Sequence, residues 1–322
     1  MFDSCATPQQ VTALNDRLTI FKCVDTSTTS GHDTKSGSLK PDISIYMEGP
    51  TSPYTNENNT PFGKFRIMES FVEVEKTADQ DPFRDNSPEI IDFNLDAPYD
   101  SLPKATKRKI EILGQSVSYA TAILGQQHRQ FAYSMMMSGT MVRFLRWDRA
   151  GVIVSQAFDC RKEPDALCQF MWRLEHLSIA QRGFDTTAVK GSTEEYGSIF
   201  SDAIKNRLCF ELGIPHQGAT SDKALEQHYD PDQLSIVTVS EGPIKKTYCI
   251  CRPLEAPLSI IGRATRGYWS VDVATREVRF VKDTWRKGLS GLEREGDIVR
   301  ELWRQGVQSV PKLACHSDVI SG

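Results

Sequence analysis

Residues 104–127, KATKRKIEILGQSVSYATAILGQQ, place Ile110, Leu113, Val117, Ala120 and Leu124 on one stripe at three- and four-residue spacing, and segments of alternating polarity lie on both sides. A long amphipathic helix must bury its stripe against something, and flanking strands predict a sheet. DISIYM (42–47) and SFVEVE (70–75) precede the helix, and FAYSMMMSG (131–139), MVRFLRWDR (141–149) and GVIVSQAF (151–158) follow it. Residues 164–179 open on Pro164 and Asp165 and carry Leu167, Phe170, Met171, Leu174 and Leu177 on one side, which predicts a second helix; a third is expected near 195–211. Beyond the polar loop 216–233 the pattern turns β-rich, in SIVTVS, KKTYCIC, LSIIG, YWSVDV and EVRFVKD, and it closes with a helix over 291–307. The fold class expected is α+β: an α/β N-terminal domain, then an antiparallel sheet plus one helix.

The domain organisation expected is a mobile segment 1–39, an α/β domain 40–211, a linker or insertion 212–234 and a second domain 235–322. PQQVTALNDRL (8–18) suits a short helix, whereas VDTSTTSGHDTKSG (24–37) has almost nothing apolar to bury, so order is expected from about Lys40. TSPYTNENNTP (51–61) reads as a polar loop. The 322 residues suffice for two cores, and 42 acidic against 38 basic residues leave no global field drawing the chain to nucleic acid or anionic lipid. The eight cysteines form no CxxC pair, the first residues lack a signal-peptide pattern, and the richest apolar stretch, YSMMMSGTMVRFL, is interrupted by Ser, Gly, Thr and Arg. An intracellular chain, cytoplasmic or nuclear, with reduced thiols and no membrane partner is expected. Six scattered histidines show no HxxxH spacing, and no GxSxG context marks a nucleophile.

One set of residues points to metal-dependent phosphate chemistry. Asp42 opens the first strand after Pro41, and Glu73 and Glu75, two apart on the second, share a face. If the strands are neighbours, Asp42 and Glu73 converge as hard oxygen ligands for Mg²⁺. Gln115 and Tyr119, one helical turn apart, suit the holding of a phosphate or a water. This order resembles the PD-(D/E)xK nuclease superfamily, in particular members with a QxxxY helix. The resemblance implies Mg²⁺-dependent cleavage at Asp42, Glu73 and Glu75 with a nucleic-acid partner or, because Glu75 stands where that pattern has lysine, a degenerate and inactive nuclease site. An alternating Glu pair on a solvated strand face is the bland alternative. Lys104, Lys107, Arg108 and Lys109 open the helix against the macrodipole preference, which suits either nucleic-acid contact or a solvated helix start.

A second set lies near the C-terminus. Gly262, Ala264 and Gly267 occupy the positions of GxGxxG between expected strands, Lys282 ends the strand VRFVK, and Glu295 follows on a helix. Strands on both sides fit a loop that covers the phosphates of ATP rather than a dinucleotide-binding turn, with Lys282 on the α- and β-phosphates and Glu295 as its partner. A β-meander with turn glycines and a solvated lysine is the competing interpretation.

Longer strings extend this pattern: HRQFAYSMMMSGTMVRFLRWDRAGVIVSQAFD (128–159), FMWRLEHLSIAQRGFDTT (170–187), GRATRGYW (262–269), VKDTWR (281–286) and EREGDIVRELWRQGVQSVPKL (293–313). Together with Lys40-Pro41-Asp42 and Asp81-Pro82-Phe83, they resemble the fungal-type protein kinase family. The resemblance implies ATP and Mg²⁺ as cofactors, a protein substrate of unknown identity, and a kinase small lobe at the C-terminal end. No cofactor is expected to be needed for folding. The family's HRD-type catalytic loop has no counterpart here, so no kinase catalytic residue is assigned and an incomplete lobe, inactive alone, is expected. A non-catalytic interaction module is the third possibility.

Overall fold

The computed structural model describes residues 21–27, 39–47, 64–86, 91, 98–254, 257–286 and 293–319. The short helix expected at 8–18, the loop at 51–61 and residues 28–37 of the segment expected to be mobile lie outside the described residues. The fold is mixed α+β, with two sheets and five α-helices among the described residues. None of those helices is long and apolar enough to cross a membrane. The chain divides into two compact units, Met1–Phe184 with Leu258–Gly262, and Asp185–Pro257 with Arg263–Gly322.

The first unit contains β1 (Phe21–Asp25), β2 (Ile43–Met47), β3 (Met68–Glu75), α1 (Lys104–Gln126), β4 (Phe131–Ser138), β5 (Met141–Asp148), β6 (Gly151–Val154), β7 (Phe158–Asp159) and α2 (Pro164–His176). The sheet order is β1-β2-β3-β4-β5-β6, with β7 paired to β5. All pairings are antiparallel except β3 with β4. A parallel pair needs a crossover, and α1 supplies it. Alternation along β3 then sorts its side chains. Val72 and Val74 join Ile43, Ile45 and Met135 in a core with Met171 and Leu174 of α2, while Phe71 joins the core of α1. Every residue of β3 is buried, so Glu73 and Glu75 do not occupy a solvated face.

Two sequence expectations are corrected here. A strand, β1, precedes Lys40: Phe21 and Cys23 enter the α2-side core, and the Thr26 hydroxyl donates to the Pro41 carbonyl at 2.6 Å. Three apolar residues in FKCVD, Phe21, Cys23 and Val24, suffice for an edge strand once β2 is there to pair with. The buried stripe of α1 is also rotated from the expected one. Ile112, Ser116, Tyr119, Ala120, Ile123 and Leu124 are buried, whereas Ile110, Leu113 and Val117 are only partly so. The aromatic ring decides the rotation, because Tyr119 packs edge-on to Phe71 at 5.4 Å and its hydroxyl donates to the Lys40 carbonyl at 2.9 Å.

The Asp81-Pro82-Phe83 string has a structural role. Arg143 on β5 donates from Nε to Asp81 (2.6 Å), from Nη1 to Asp85 (2.6 Å) and from Nη1 to the Ser155 carbonyl (2.9 Å). The Arg143 hydrogen bond holds the Asp85 carboxyl below its ordinary range. Arg143→Ala removes the guanidinium partner of the Asp81 and Asp85 carboxylates and of the Ser155 carbonyl. We expect it to lower the unfolding free energy of the first unit by ~2–3 kcal/mol, read as a shifted urea midpoint at unchanged slope.

The second unit contains β8 (Ala188–Lys190), α3 (Thr193–Leu212), α4 (Ala219–Glu226), β9 (Ser235–Glu241), β10 (Ile244–Ile250), β11 (Arg266–Asp272), β12 (Val278–Asp283) and α5 (Glu295–Arg304). Its sheet is antiparallel throughout, in the order β12-β11-β10-β9-β8. Phe200 and Ile204 of α3 pack on Ile236, Cys249, Cys251 and Val271 of the sheet. The α3 ends follow ordinary capping chemistry: the Ser192 hydroxyl accepts from the Glu195 amide, and Gly213 closes the helix at φ +62°. Part of the expected 216–233 loop is α4. LSIIG is not a strand; Ile260 is buried in the α1-side core of the first unit, and the Gly262 amide donates to the Arg149 carbonyl. A short segment with three apolar residues reads equally as a strand or as a plug.

Candidate functional site

In the first unit the β2–β3 register, Ile43 opposite Val72, sets Asp42 beside Glu73. Asp42 accepts a hydrogen bond from the Val74 amide at 2.8 Å, and Glu75 accepts from Arg108 Nη2 at 2.8 Å. One oxygen each of Glu73 and Glu75 is buried without a hydrogen-bond partner among the described residues. Burial pushes Asp42 up to about 7, reinforced by the charges of Glu75 and Asp25 and opposed by the Val74 amide. Burial and then the Asp42 and Glu75 charges raise Glu73 well above the carboxylate range, and burial raises Glu75 despite Arg108. Burial thus raises all three carboxyls, and Glu73 and Glu75 share the charge of one guanidinium, Arg108.

Gln115 is exposed, and the Tyr119 hydroxyl donates to the Lys40 carbonyl and is raised above its ordinary range by burial and by the nearby charges of Glu73 and Asp42. Arg108, which the sequence offered only as part of a basic helix start, is instead the partner of Glu75. It begins the true stripe Arg108–Ile112–Ser116–Tyr119, so a one-residue rotation of the helix would have found it. Among the described residues, no three His, Cys, Asp or Glu side chains are placed to hold a metal ion.

In the second unit, Lys282 near the end of β12 faces Glu295, the first residue of α5, with Nζ 2.6 and 2.7 Å from its carboxylate oxygens. A glutamate there also suits the positive end of the helix. Arg263 Nη2 reaches the same carboxylate at 3.0 Å. The Lys282 hydrogen bond, with help from Arg263, holds Glu295 below its ordinary range. The glycine pattern itself is divided: Gly262 belongs to the first unit, Ala264 and Gly267 to the second. Gly267 pairs with Lys282 across β11 and β12, and a Cβ there would come within 2.6 Å of the Phe280 ring, so its glycine makes room for that ring.

Ala264 has φ +42°, in the left-handed region where a Cβ is penalised. It stands where the pattern has its middle glycine. Ala264→Gly should relieve ~1 kcal/mol of backbone strain, seen as slower amide exchange of the 263–267 segment.

Two strings quoted from the sequence turn out to bind each other. The Trp285 amide donates to the Arg263 carbonyl at 2.7 Å, the Thr284 hydroxyl donates to the same oxygen at 3.2 Å, and Thr265 and Thr284 share a hydroxyl hydrogen bond at 3.0 Å. Arg266 Nε donates to Asp283 at 3.1 Å. GRATRG and VKDTWR therefore form one stitched substructure around Lys282. No curated protein and no solved structure matches the chain. The family description fungal protein kinase matches residues 100–322, about two thirds of the sequence, and runs through both units including this substructure. The chain belongs to the fungal protein kinase family.

Proposed function

We propose that the second unit is a nucleotide-binding lobe of a protein kinase, in which Lys282 engages the phosphates of MgATP and Glu295 positions the lysine. The Lys282–Glu295 pair carries this assignment. Both side chains are more than a third exposed, where an ion pair adds little stability, so stability alone does not account for joining a strand end to a helix start. Family membership supports ATP-dependent phosphoryl transfer to protein. The donor chemistry fits a polyphosphate, and Mg²⁺ would be carried largely by the nucleotide's own oxygens. When bound, ATP supplies the transferable phosphoryl group; Lys282 supplies fixed positive charge, and Glu295 keeps it oriented. Calorimetric titration of the full chain with MgATP is the test. Lys282→Ala should weaken binding at least tenfold, and no binding, or binding indifferent to Lys282→Ala, would sink the assignment.

A second reading is favoured by the orphaned oxygens of Glu73 and Glu75. The β2–β3 register, with Asp42 beside Glu73 on adjacent strands, supports a two-carboxylate site of this kind. With no group of three metal-ligating side chains among the described residues, a divalent ion there would rest on two carboxylates and water. Mn²⁺ binding that disappears in Asp42→Asn supports this reading; a chain that binds no Mn²⁺ at pH 8 removes it.

A further inference from the structure

Arg263 sits in the substructure around Lys282 in an unusual way. Its backbone is pinned, because its carbonyl accepts from both the Trp285 amide and the Thr284 hydroxyl. Its side chain is not: it is 68% exposed and touches Glu295 through a single hydrogen bond, whereas Lys282 has both carboxylate oxygens within reach. Two cations thus share one carboxylate, and the three groups together carry a net charge of +1. The neighbouring Arg266 is matched to Asp283, and Arg286 to Asp318. A guanidinium on a fixed base, weakly held by a shared carboxylate, is arranged to transfer its fork to a better anion, and phosphate oxygens match that fork with two parallel hydrogen bonds.

We propose that Arg263 is a second phosphate-binding cation, which leaves Glu295 and acts with Lys282 on the polyphosphate chain of a nucleoside triphosphate. The proposal rests on the nucleotide-site reading above and adds a residue and a preference to it. Lys282 keeps its glutamate when the nucleotide binds; Arg263 exchanges its partner. The site should therefore favour nucleotides with more phosphates beyond what Lys282 alone provides.

The test compares binding of MgATP, ADP and adenosine to the full chain and to Arg263→Ala, Arg263→Lys and Lys282→Ala. Arg263 is exposed, so its replacement leaves the fold intact, which thermal unfolding of each variant checks. We expect Arg263→Ala to weaken ATP about tenfold, ADP less and adenosine not at all, with Arg263→Lys recovering only part of the loss because ammonium lacks the fork. ATP binding that depends on Lys282 but is unchanged in Arg263→Ala would overturn the role of Arg263 and leave the nucleotide site standing. Absence of ATP binding by the unsubstituted chain would instead overturn the nucleotide site itself. An equal loss of ATP and adenosine in Arg263→Ala would count against phosphate contact.

Discussion

Arg129→Ala is expected to lower the unfolding free energy of the first unit by ~3–5 kcal/mol, enough to leave much of it unfolded at 37 °C. The Arg129 side chain is 1% exposed, and its guanidinium donates to the Glu69 carbonyl and to the Glu69 carboxylate, both at 2.8 Å. It also lies 3.8 Å from the centre of the Phe184 ring. Burial pulls its pKa down to about 10, which still leaves it charged at neutral pH. Truncation leaves the Glu69 carboxylate buried, with Arg182 at 3.7 Å as its remaining cation. Urea denaturation followed by tryptophan fluorescence checks the loss, since Trp147 is buried in the α1-side core of the first unit. A change under 1 kcal/mol would mean that Arg182 takes over the pairing.

The carboxyls beneath α1 give the second large effect, and its sign is opposite to that of the usual acid-labile carboxylate. Asp42 in the unfolded chain gives up its proton near 3.8, whereas in the folded chain it keeps it to about 7. The folded state therefore binds more protons between those values. The stabilisation is complete below about pH 4, falls as pH rises and is gone above about 7, a change on the order of 4 kcal/mol for Asp42 alone. Glu73, raised for the same reason of burial, adds in the same direction. The first unit should accordingly be more stable at pH 5 than at pH 8, and Asp42→Asn, which keeps an acceptor for the Val74 amide, should flatten that difference. Hydrogen exchange at Val74 and its strand neighbours at the two pH values reads the effect locally. Equal protection at both would show the carboxyls already ionised.

Much of the architecture was legible because alternation and three-to-four spacing are properties of single segments. FAYSMMMS and MVRFLRWD announce strands wherever they pack, and 104–127 announces a helix. What the sequence left open is set by partners from far away. The rotation of α1 depends on Tyr119 meeting Phe71 and Lys40, and that rotation brings Arg108 to Glu75 and turns Gln115 outward. Lys282 and Glu295 were identifiable because their elements are contiguous in the chain. Arg263 was not, since neither the carbonyl contacts that pin it nor its share of Glu295 leaves a trace in residue spacing. The Lys-Pro-Asp string proves partly structural, as Lys40 and Pro41 offer carbonyls to Tyr119 and Thr26.

The plug at 258–262 bears on how the chain can be made. Ile260 fills the α1-side core, and the Ser259 carbonyl accepts from Arg149, yet these residues follow Phe184 only after the whole of β8, α3, α4, β9 and β10. During synthesis the first unit is therefore expected to lack Ile260 until the intervening Asp185–Pro257 has left the ribosome. Its final closure is a late step, taken after most of the second sheet exists. A fragment ended at Phe184 should expose the Ile260 cavity and Arg149, and should recover on addition of a peptide that spans 257–263, a complementation that a contiguous domain would never need.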